Sequence, residues 1–522
     1  MLVSPLDPTH LTPQTLQTPQ GLLQTLQVLY EDVEASGEAT FHQWQGHIHR
    51  SEFLSSALNL AHYLALRRHD LRPLQAALMP WGLSSLGRLE GRVMPSLMAV
   101  MATLSALCQT GLPNRIRRPQ LAEFLEGRHL LEKHTEELFG PARLPQRVRI
   151  MVTLPTEAAE NYELVREVLK RGAACVRINC AHDDPEIWQA MIDHVRRASQ
   201  EVGQPCRILM DLAGPKIRTG PVFYPGEQRR LFRDDYLVLL RQALPLPAEQ
   251  DEESVPASPI DRFCTSCTTP EVLDSLTVGA AVYIDDGKLR TRVVATDYSE
   301  IPQHSGLLLQ VTHASPKGVK LRPEKGLNFP GTALNLSPLT NKDRQDLQFA
   351  ATQADLIGYS FVQKPADIEL LQVALQDLLG ATAPLPPIIA KIETDEAVRN
   401  LPELIVRAAG QQPFGVMIAR GDLAVEIGYQ RLTEIQEEIL WLCEAAHVPV
   451  IWATQVLESL VKNGAPSRGE MTDAAMAERA ECVMLNKGPF IAEAVTILAD
   501  VLTRMEAHQL KKTPQLRALR SW

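Results

Sequence analysis

Apolar positions fall into two textures along the chain. Through residues 1 to 145 they recur at helical spacing: Leu22, Leu23, Leu26, Leu29, Tyr30 and Val33 share one face, and Phe53, Leu54, Ala57, Leu58, Ala61 and Leu64 repeat the device. Two more such stretches follow near 92–108 and 119–138, broken at Gly111-Leu112-Pro113-Asn114 and Gly140-Pro141. From Val148 onward, short apolar runs alternate with amphipathic helical stretches. The runs lie at 148–154, 174–180, 207–212, 355–361, 386–392, 414–419, 448–453 and 481–485. Eight apolar strands separated by helices predict an α/β fold, a closed parallel (β/α)8 barrel, with its chemistry at the carboxyl ends of the strands. Between the third and fourth runs the helical period is lost, and Leu237-Val238-Leu239-Leu240 and Ala281-Val282-Tyr283-Ile284 read as β structure, with a proline-rich acidic loop from Pro245 to Asp261. The pattern divides the chain into a helical N-terminal region (1–145), a barrel (146–220 and 323–510), an inserted β segment (221–322) and a tail (511–522).

Two of the runs end abruptly in charge. Ile388-Ile389-Ala390-Lys391-Ile392-Glu393 puts Lys391 and Glu393 on the same side of a strand, because side chains alternate. Gly415-Val416-Met417-Ile418-Ala419-Arg420-Gly421-Asp422 delivers a second carboxylate from the next strand. Two carboxylates suit a hard octahedral divalent ion, and a lysine beside them meets negative charge on a substrate. That equipment serves phosphoryl or enolate chemistry.

Composition narrows the classes further. With 52 basic against 62 acidic residues and a formal charge of −10, the chain is not built for nucleic acid or an anionic membrane surface. Met94 to Cys108, its most apolar helical stretch, is interrupted by Pro95, Ser96, Thr103 and Ser105 and is too short to span a bilayer. Met1 leads into Pro5, Asp7 and Pro8 rather than a basic then apolar leader, so the expected setting is cytoplasmic. Of the eight cysteines, Cys175, Cys180, Cys206 and Cys482 lie in or beside apolar runs and read as small hydrophobes. Cys264-Thr265-Ser266-Cys267 has the spacing of a zinc or redox pair but no second pair to complete it. His47, His49, Arg115, Arg117 and Arg118 read as solvated surface, which leaves residues 1–145 to packing, assembly or regulation.

Lys391-Ile392-Glu393 and Ala419-Arg420-Gly421-Asp422-Leu423 closely resemble the two signature segments of pyruvate kinase. The resemblance runs in order through Val176-Arg177-Ile178-Asn179-Cys180-Ala181-His182, the segment from Asp211 to Gly220, Ile284-Asp285-Asp286-Gly287, Lys325 to Gly331, Tyr359-Ser360-Phe361 and Ala453 to Ser459, covering roughly residues 147 to 508. It implies a TIM barrel with an inserted small β-barrel domain that closes over the site as a lid, and transfer of a phosphoryl group from phosphoenolpyruvate to ADP, giving pyruvate and ATP, the last step of glycolysis. By resemblance Lys391, Thr454 and Arg177 are catalytic, and Arg177, Lys391, Gly421, Asp422 and Thr454 hold the substrate. Glu393 and Asp422 bind magnesium, or manganese in its place. Asn179, His182, Arg218 and Lys325 face the nucleotide, and Asn179 and Asp211 belong to a monovalent-cation site.

Three departures from the family matter. Ala181 stands where the family has a serine ligand of potassium, and Lys216 stands where most members have glutamate. A lysine ammonium carries potassium's charge, so Lys216, with Asn179 and Asp211, is expected to make potassium dispensable. After the eighth run, Met484-Leu485-Asn486-Lys487-Gly488-Pro489-Phe490 replaces a longer nucleotide-contacting loop, which bears on nucleotide preference. The chain also has no room for the family's usual C-terminal domain, so that domain's sugar-phosphate effector site is not expected and assembly is expected to be altered. Pro466-Ser467-Arg468-Gly469-Glu470 matches a segment near a subunit contact and implies a homo-oligomer of at least two copies. Two other readings use the same residues: a nucleotide-independent, magnesium-dependent enolate enzyme, and a degenerate phosphoenolpyruvate-binding sensor or scaffold.

Overall fold

The structure, a computed structural model, describes residues 15–84, 86–108, 116–143, 146–245, 257–334 and 336–515. The Gly111–Asn114 break, Arg115, most of the Pro245–Asp261 loop and the last part of the tail lie outside them. Eight parallel strands close into a barrel in chain order: β1 (Arg149–Thr153), β2 (Ala173–Asn179), β3 (Arg207–Asp211), β4 (Leu356–Tyr359), β5 (Ile388–Ile392), β6 (Phe414–Ala419), β7 (Val450–Ala453) and β8 (Cys482–Leu485). Each falls on one of the predicted runs. The strands are apolar on both faces because helices cover the outside while alternate residues fill the interior. Met151, Cys175, Leu209, Leu356, Ile389, Met417, Ile451 and Met484 make one buried cluster inside the barrel.

Between β3 and β4 the chain forms a seven-stranded sheet running from Thr219–Phe223 to Leu327–Asn328, with its own apolar core around Leu237, Leu239, Val282, Leu307 and Leu309. Its outgoing and returning segments pair with each other: Thr219 donates to the Lys325 carbonyl at 2.8 Å and Leu327 to the Ile217 carbonyl at 2.9 Å. The β structure therefore begins before residue 221 and ends beyond 322. Cys264 and Cys267 sit on one strand of this sheet and point into two different apolar clusters, so they cannot share a metal.

The N-terminal region is helical, as its period predicts: α1 (Pro19–Gln45), α2 (Leu54–Leu66), α3 (Arg72–Leu78), α4 (Val93–Leu107) and α5 (Leu121–Phe139). Thr18 starts α1 by accepting the Gly21 N–H, with Pro19 at the first helical position. The predicted stripe of α2 is only partly the buried one. Phe53, Ala57 and Ala61 are buried, but Leu54, Leu58 and Leu64 are half-exposed and Leu60, Tyr63 and Leu66 are buried instead. The cause is that α2 packs against α1 on one side and the barrel helix Tyr429–Ala445 on another, so one face does not suffice.

The carboxyl end of α5 closes the barrel from below. Leu138 and Phe139 join the interior cluster, beside Gly415 at the start of β6 and Cys175 near the start of β2. Buried Arg149, the first residue of β1, fixes this stopper by donating to the Gly140 carbonyl at 2.8 and 3.1 Å. The leading helices thus plug the end opposite the charged strand ends. Among the described residues no helix is long and apolar enough to cross a membrane.

Candidate active site

A pocket of about 220 Å³ opens at the carboxyl ends of the strands. Arg177, Asn179, His182, Lys216, Arg218, Lys391, Glu393, Asp422 and Thr454 all line it, so nine side chains singled out in the sequence share one cavity. Strand periodicity brings them there: Cys175, Arg177 and Asn179 alternate inward on β2, and Ile389, Lys391 and Glu393 alternate inward on β5 and its end.

Lys391 is the hub. Its ammonium lies 3.2 Å from Glu393 and 3.4 Å from Asp211 and donates to the Ser360 hydroxyl at 2.6 Å; that hydroxyl in turn donates to the Leu212 carbonyl. Burial favours the neutral amine, but the Asp211 and Glu393 carboxylates reverse it and hold the ammonium above the ordinary lysine range. Asp211 is fully buried and is also met by Arg177 at 2.6 Å. Burial alone would raise its carboxyl, yet Lys391 and Arg177 together keep it below the usual range. Arg177 spans Asp211 and the Thr153 hydroxyl, which fix its guanidinium in the pocket wall.

Glu393 accepts the Phe361 N–H at 2.6 Å. Burial pushes its carboxyl up, Lys391 pulls it down, and the nearby Asp422 charge pushes it up again. Two carboxylates facing one cavity, one of them strained toward protonation, fit a divalent cation that would relieve both. Gly421 does not line the cavity directly; its N–H donates to the Thr454 hydroxyl at 2.7 Å.

Three expected members stand apart from their expected places. Lys216 lies 3.4 Å from Asp422, and among the described residues no hydrogen bond or ion pair joins it to Asn179 or Asp211. The reason is electrostatic: Asp211 is already matched by Arg177 and Lys391, and Asp422 is the carboxylate left without a cation. Asn179 turns its side-chain oxygen back to the Ala181 N–H at 3.2 Å. Lys325 pairs with Asp285 of the inserted domain at 3.2 Å, outside the pocket lining.

Several residues that matter here carry no signal of their own in the sequence. Ser360, which orients Lys391, was visible only as part of a motif. Arg420 donates to the Ala453 and Thr454 carbonyls, is paired bidentately with Asp473 and lies over the Trp452 ring. Thr454 itself has φ +64°, a left-handed conformation that a β-branched residue rarely adopts. Nothing in a single sequence marks such a dihedral. Near the shortened loop, Asn486 lines the pocket, and Lys487 lies close enough to His182 to reinforce burial in lowering its pKa.

Comparison with known proteins agrees with this geometry. The family model for the pyruvate kinase barrel domain matches residues 145–495. Pyruvate kinase 2 of Synechocystis sp. is 32% identical over 374 residues, 70% of this chain and 58% of that protein. Pyruvate kinase of Methylorubrum extorquens is 32% identical over 373 residues, 70% of each chain. A crystal structure of a pyruvate kinase from Cryptosporidium parvum superposes with a TM-score of 0.58 at 28% identity, covering 71% of this chain and 72% of that one. The match to the Synechocystis enzyme, like that to pyruvate kinase of Geobacillus stearothermophilus at 57%, spans less than two thirds of the relative's length.

Proposed function

The chain belongs to the pyruvate kinase family, and from that premise we propose that it moves the phosphoryl group of phosphoenolpyruvate to ADP and protonates the resulting enolate to pyruvate. The observation that carries the reading is the convergence of Lys391, Glu393, Asp422 and Arg177 on one cavity at the open end of the barrel. Magnesium, or manganese, would be held by Glu393 and Asp422 and would supply charge neutralisation at the substrate oxygens. Lys391 stabilises negative charge on the transferring group and on the enolate oxygen, and its two carboxylate neighbours keep it protonated for that task. Arg177 clamps the substrate phosphate. Asp422 positions the substrate, and the Gly421 N–H orients the Thr454 hydroxyl, which stands at the face where the enolate is protonated.

His182 and Arg218 meet the nucleotide phosphates, with Lys487 beside His182 supporting a nucleotide site despite the shortened loop. Asn179 shares their cavity, and Lys325 joins them when the inserted domain closes, exchanging its Asp285 partner for phosphate. Closure excludes water, the competing acceptor of the phosphoryl group. Potassium is not required: Arg177, Lys391 and Lys216 already match Asp211, Glu393 and Asp422 in charge. Family membership also supports a cytoplasmic setting and a homo-oligomer.

The test is pyruvate formation from phosphoenolpyruvate, ADP and magnesium, run beside Lys391→Met. Turnover in the native chain and a loss of at least about a hundredfold in the variant are expected. No pyruvate under any divalent ion or nucleotide would sink the proposal, and proton exchange at pyruvate without ADP would assign the site to enolate chemistry alone.

A further inference from the structure

At the opposite end of the barrel a second pocket, of about 140 Å³, lies where the N-terminal helices, the barrel base and a C-terminal hairpin (Gln509–Leu510 paired with Thr513–Pro514) meet. Its walls come from the turn before α4, one face of α5, the residues leading into β1 and β8, and the segment 510–513. It adjoins a chamber of about 510 Å³ that shares Arg88, Arg92 and Thr513 and is walled by Leu83, Leu89, Val100 and Phe124.

The pocket's charges do not cancel. Arg147 is paired with Glu478 and Glu506, and Lys511 with Glu481. Arg88, Arg92, Arg128 and Arg149 also line it, and among the described residues none of the four makes an ion pair with a carboxylate. Arg149 is 6% exposed and spends its donors on carbonyls, with no carboxylate of the described residues in direct contact. Arg92 lies over the Phe124 ring at 4.3 Å, and its Nε is buried without an acceptor. Two acids remain, Glu132 and Glu444, and burial pushes the Glu444 carboxyl up to about 7, which thins the negative charge further near neutrality. Among the described residues none of the four guanidinium groups touches a carboxylate; Arg92 and Arg149 carry the cost of burial and all four repel one another, and an oxyanion would relieve both effects.

We propose that this pocket binds a small metabolite bearing a phosphate monoester, with the phosphate among Arg88, Arg92, Arg128 and Arg149 and the rest of the molecule in the adjoining chamber. Because the site takes walls from the helices and from the barrel base together, the ligand ties the N-terminal region to the barrel. The site is separate from the phosphoenolpyruvate cavity and does not depend on what that cavity does.

Calorimetric titration of the full chain with glycerol 3-phosphate, beside glycerol and citrate, tests it. Expected are binding of the phosphate ester but not of glycerol, retention of that binding in Arg177→Ala, and weakening by at least about tenfold in Arg88→Ala/Arg128→Ala. Both of those arginines are exposed, so the double variant should melt like the native chain without ligand. Absence of binding, loss of it in Arg177→Ala, equal affinity in the double variant, or a preference for citrate would each overturn the proposal.

Discussion

The Gly421 N–H donates to the Thr454 hydroxyl at 2.7 Å, joining the ends of two neighbouring strands at the mouth of the barrel. Thr454 accepts that bond from a strained backbone, with φ +64°, and Arg420 holds the strain in place by gripping the Ala453 and Thr454 carbonyls from an ion pair with Asp473. A conformation costing about 1–3 kcal/mol persists only when its surroundings over-determine it, and here the restraint is visible.

Thr454→Ser keeps the hydroxyl and sheds the branch that the left-handed region disfavours. It should retain pyruvate formation within about threefold, while Thr454→Ala, leaving the Gly421 N–H without its partner, should lose roughly tenfold or more in kcat. Steady-state kinetics of both variants decide it; equal activity in the two would remove the hydroxyl from the account.

Asp473→Asn acts one step further out. It leaves Arg420 half-buried with its charge unmatched, which should cost about 2–4 kcal/mol of stability and lower kcat more than it raises KM. Denaturant unfolding together with kinetics checks both halves, and a variant with native kcat would show that Thr454 does not need the clamp.

Strand periodicity made the barrel and most of its mouth legible in the sequence, because period-two alternation decides which residues face inward once the strands are placed. Lys391 and Glu393, or Arg177 and Asn179, could be paired on that ground alone. What periodicity could not supply were relations between strands. Lys216 was assigned to the Asp211 side by its charge, yet it sits by Asp422, since the choice depends on which carboxylate already has partners. The role of α5 was equally hidden: Leu138 and Phe139 read as an ordinary amphipathic helix end, and only the fold shows them filling the barrel base.

Turnover should be indifferent to potassium. Replacing it by a bulky organic cation at equal ionic strength should change the rate by less than about twofold, since screening is then the same in both. A many-fold rise with potassium would contradict the internal charge balance of Arg177, Lys391 and Lys216.

Gly127 sits in the interior of α5, where glycine costs a helix about 1 kcal/mol against alanine. The crossing with the Glu90–Arg92 turn accounts for it: a Cβ there would stand 1.8 Å from the Gly91 carbonyl oxygen and 2.5 Å from His447. Gly127→Ala must therefore push the turn away, at a cost of about 1–3 kcal/mol, and loosen the N-terminal region from the barrel. Faster hydrogen exchange in α5 and the Glu90–Arg92 turn is the expected signature, and an unchanged exchange pattern would count against the tight crossing.

His447, buried at that same junction, supplies the pH dependence. Its ring nitrogens meet the Ser56 hydroxyl at 2.9 Å and the Gly91 carbonyl at 3.0 Å, so the neutral ring donates to Gly91 and accepts from Ser56. Burial holds its pKa down to about 4, against 6.5 for a free histidine. A depressed histidine leaves the unfolded chain with more protons below 6.5, so its contribution is intact above that pH and is lost as pH falls toward 4, by about 3 kcal/mol in all. Glu444 and Glu478, each pushed up to about 7 by burial, run the other way: they favour the folded chain at low pH and lose that effect as pH rises through 7. The native pH profile mixes both signs, whereas its difference from His447→Gln isolates the histidine. The stability gap between the two proteins should narrow by about 3 kcal/mol from pH 7 to pH 4 in denaturant unfolding. A gap that stays constant would mean that the ring takes up its proton in the folded chain as readily as in the unfolded one.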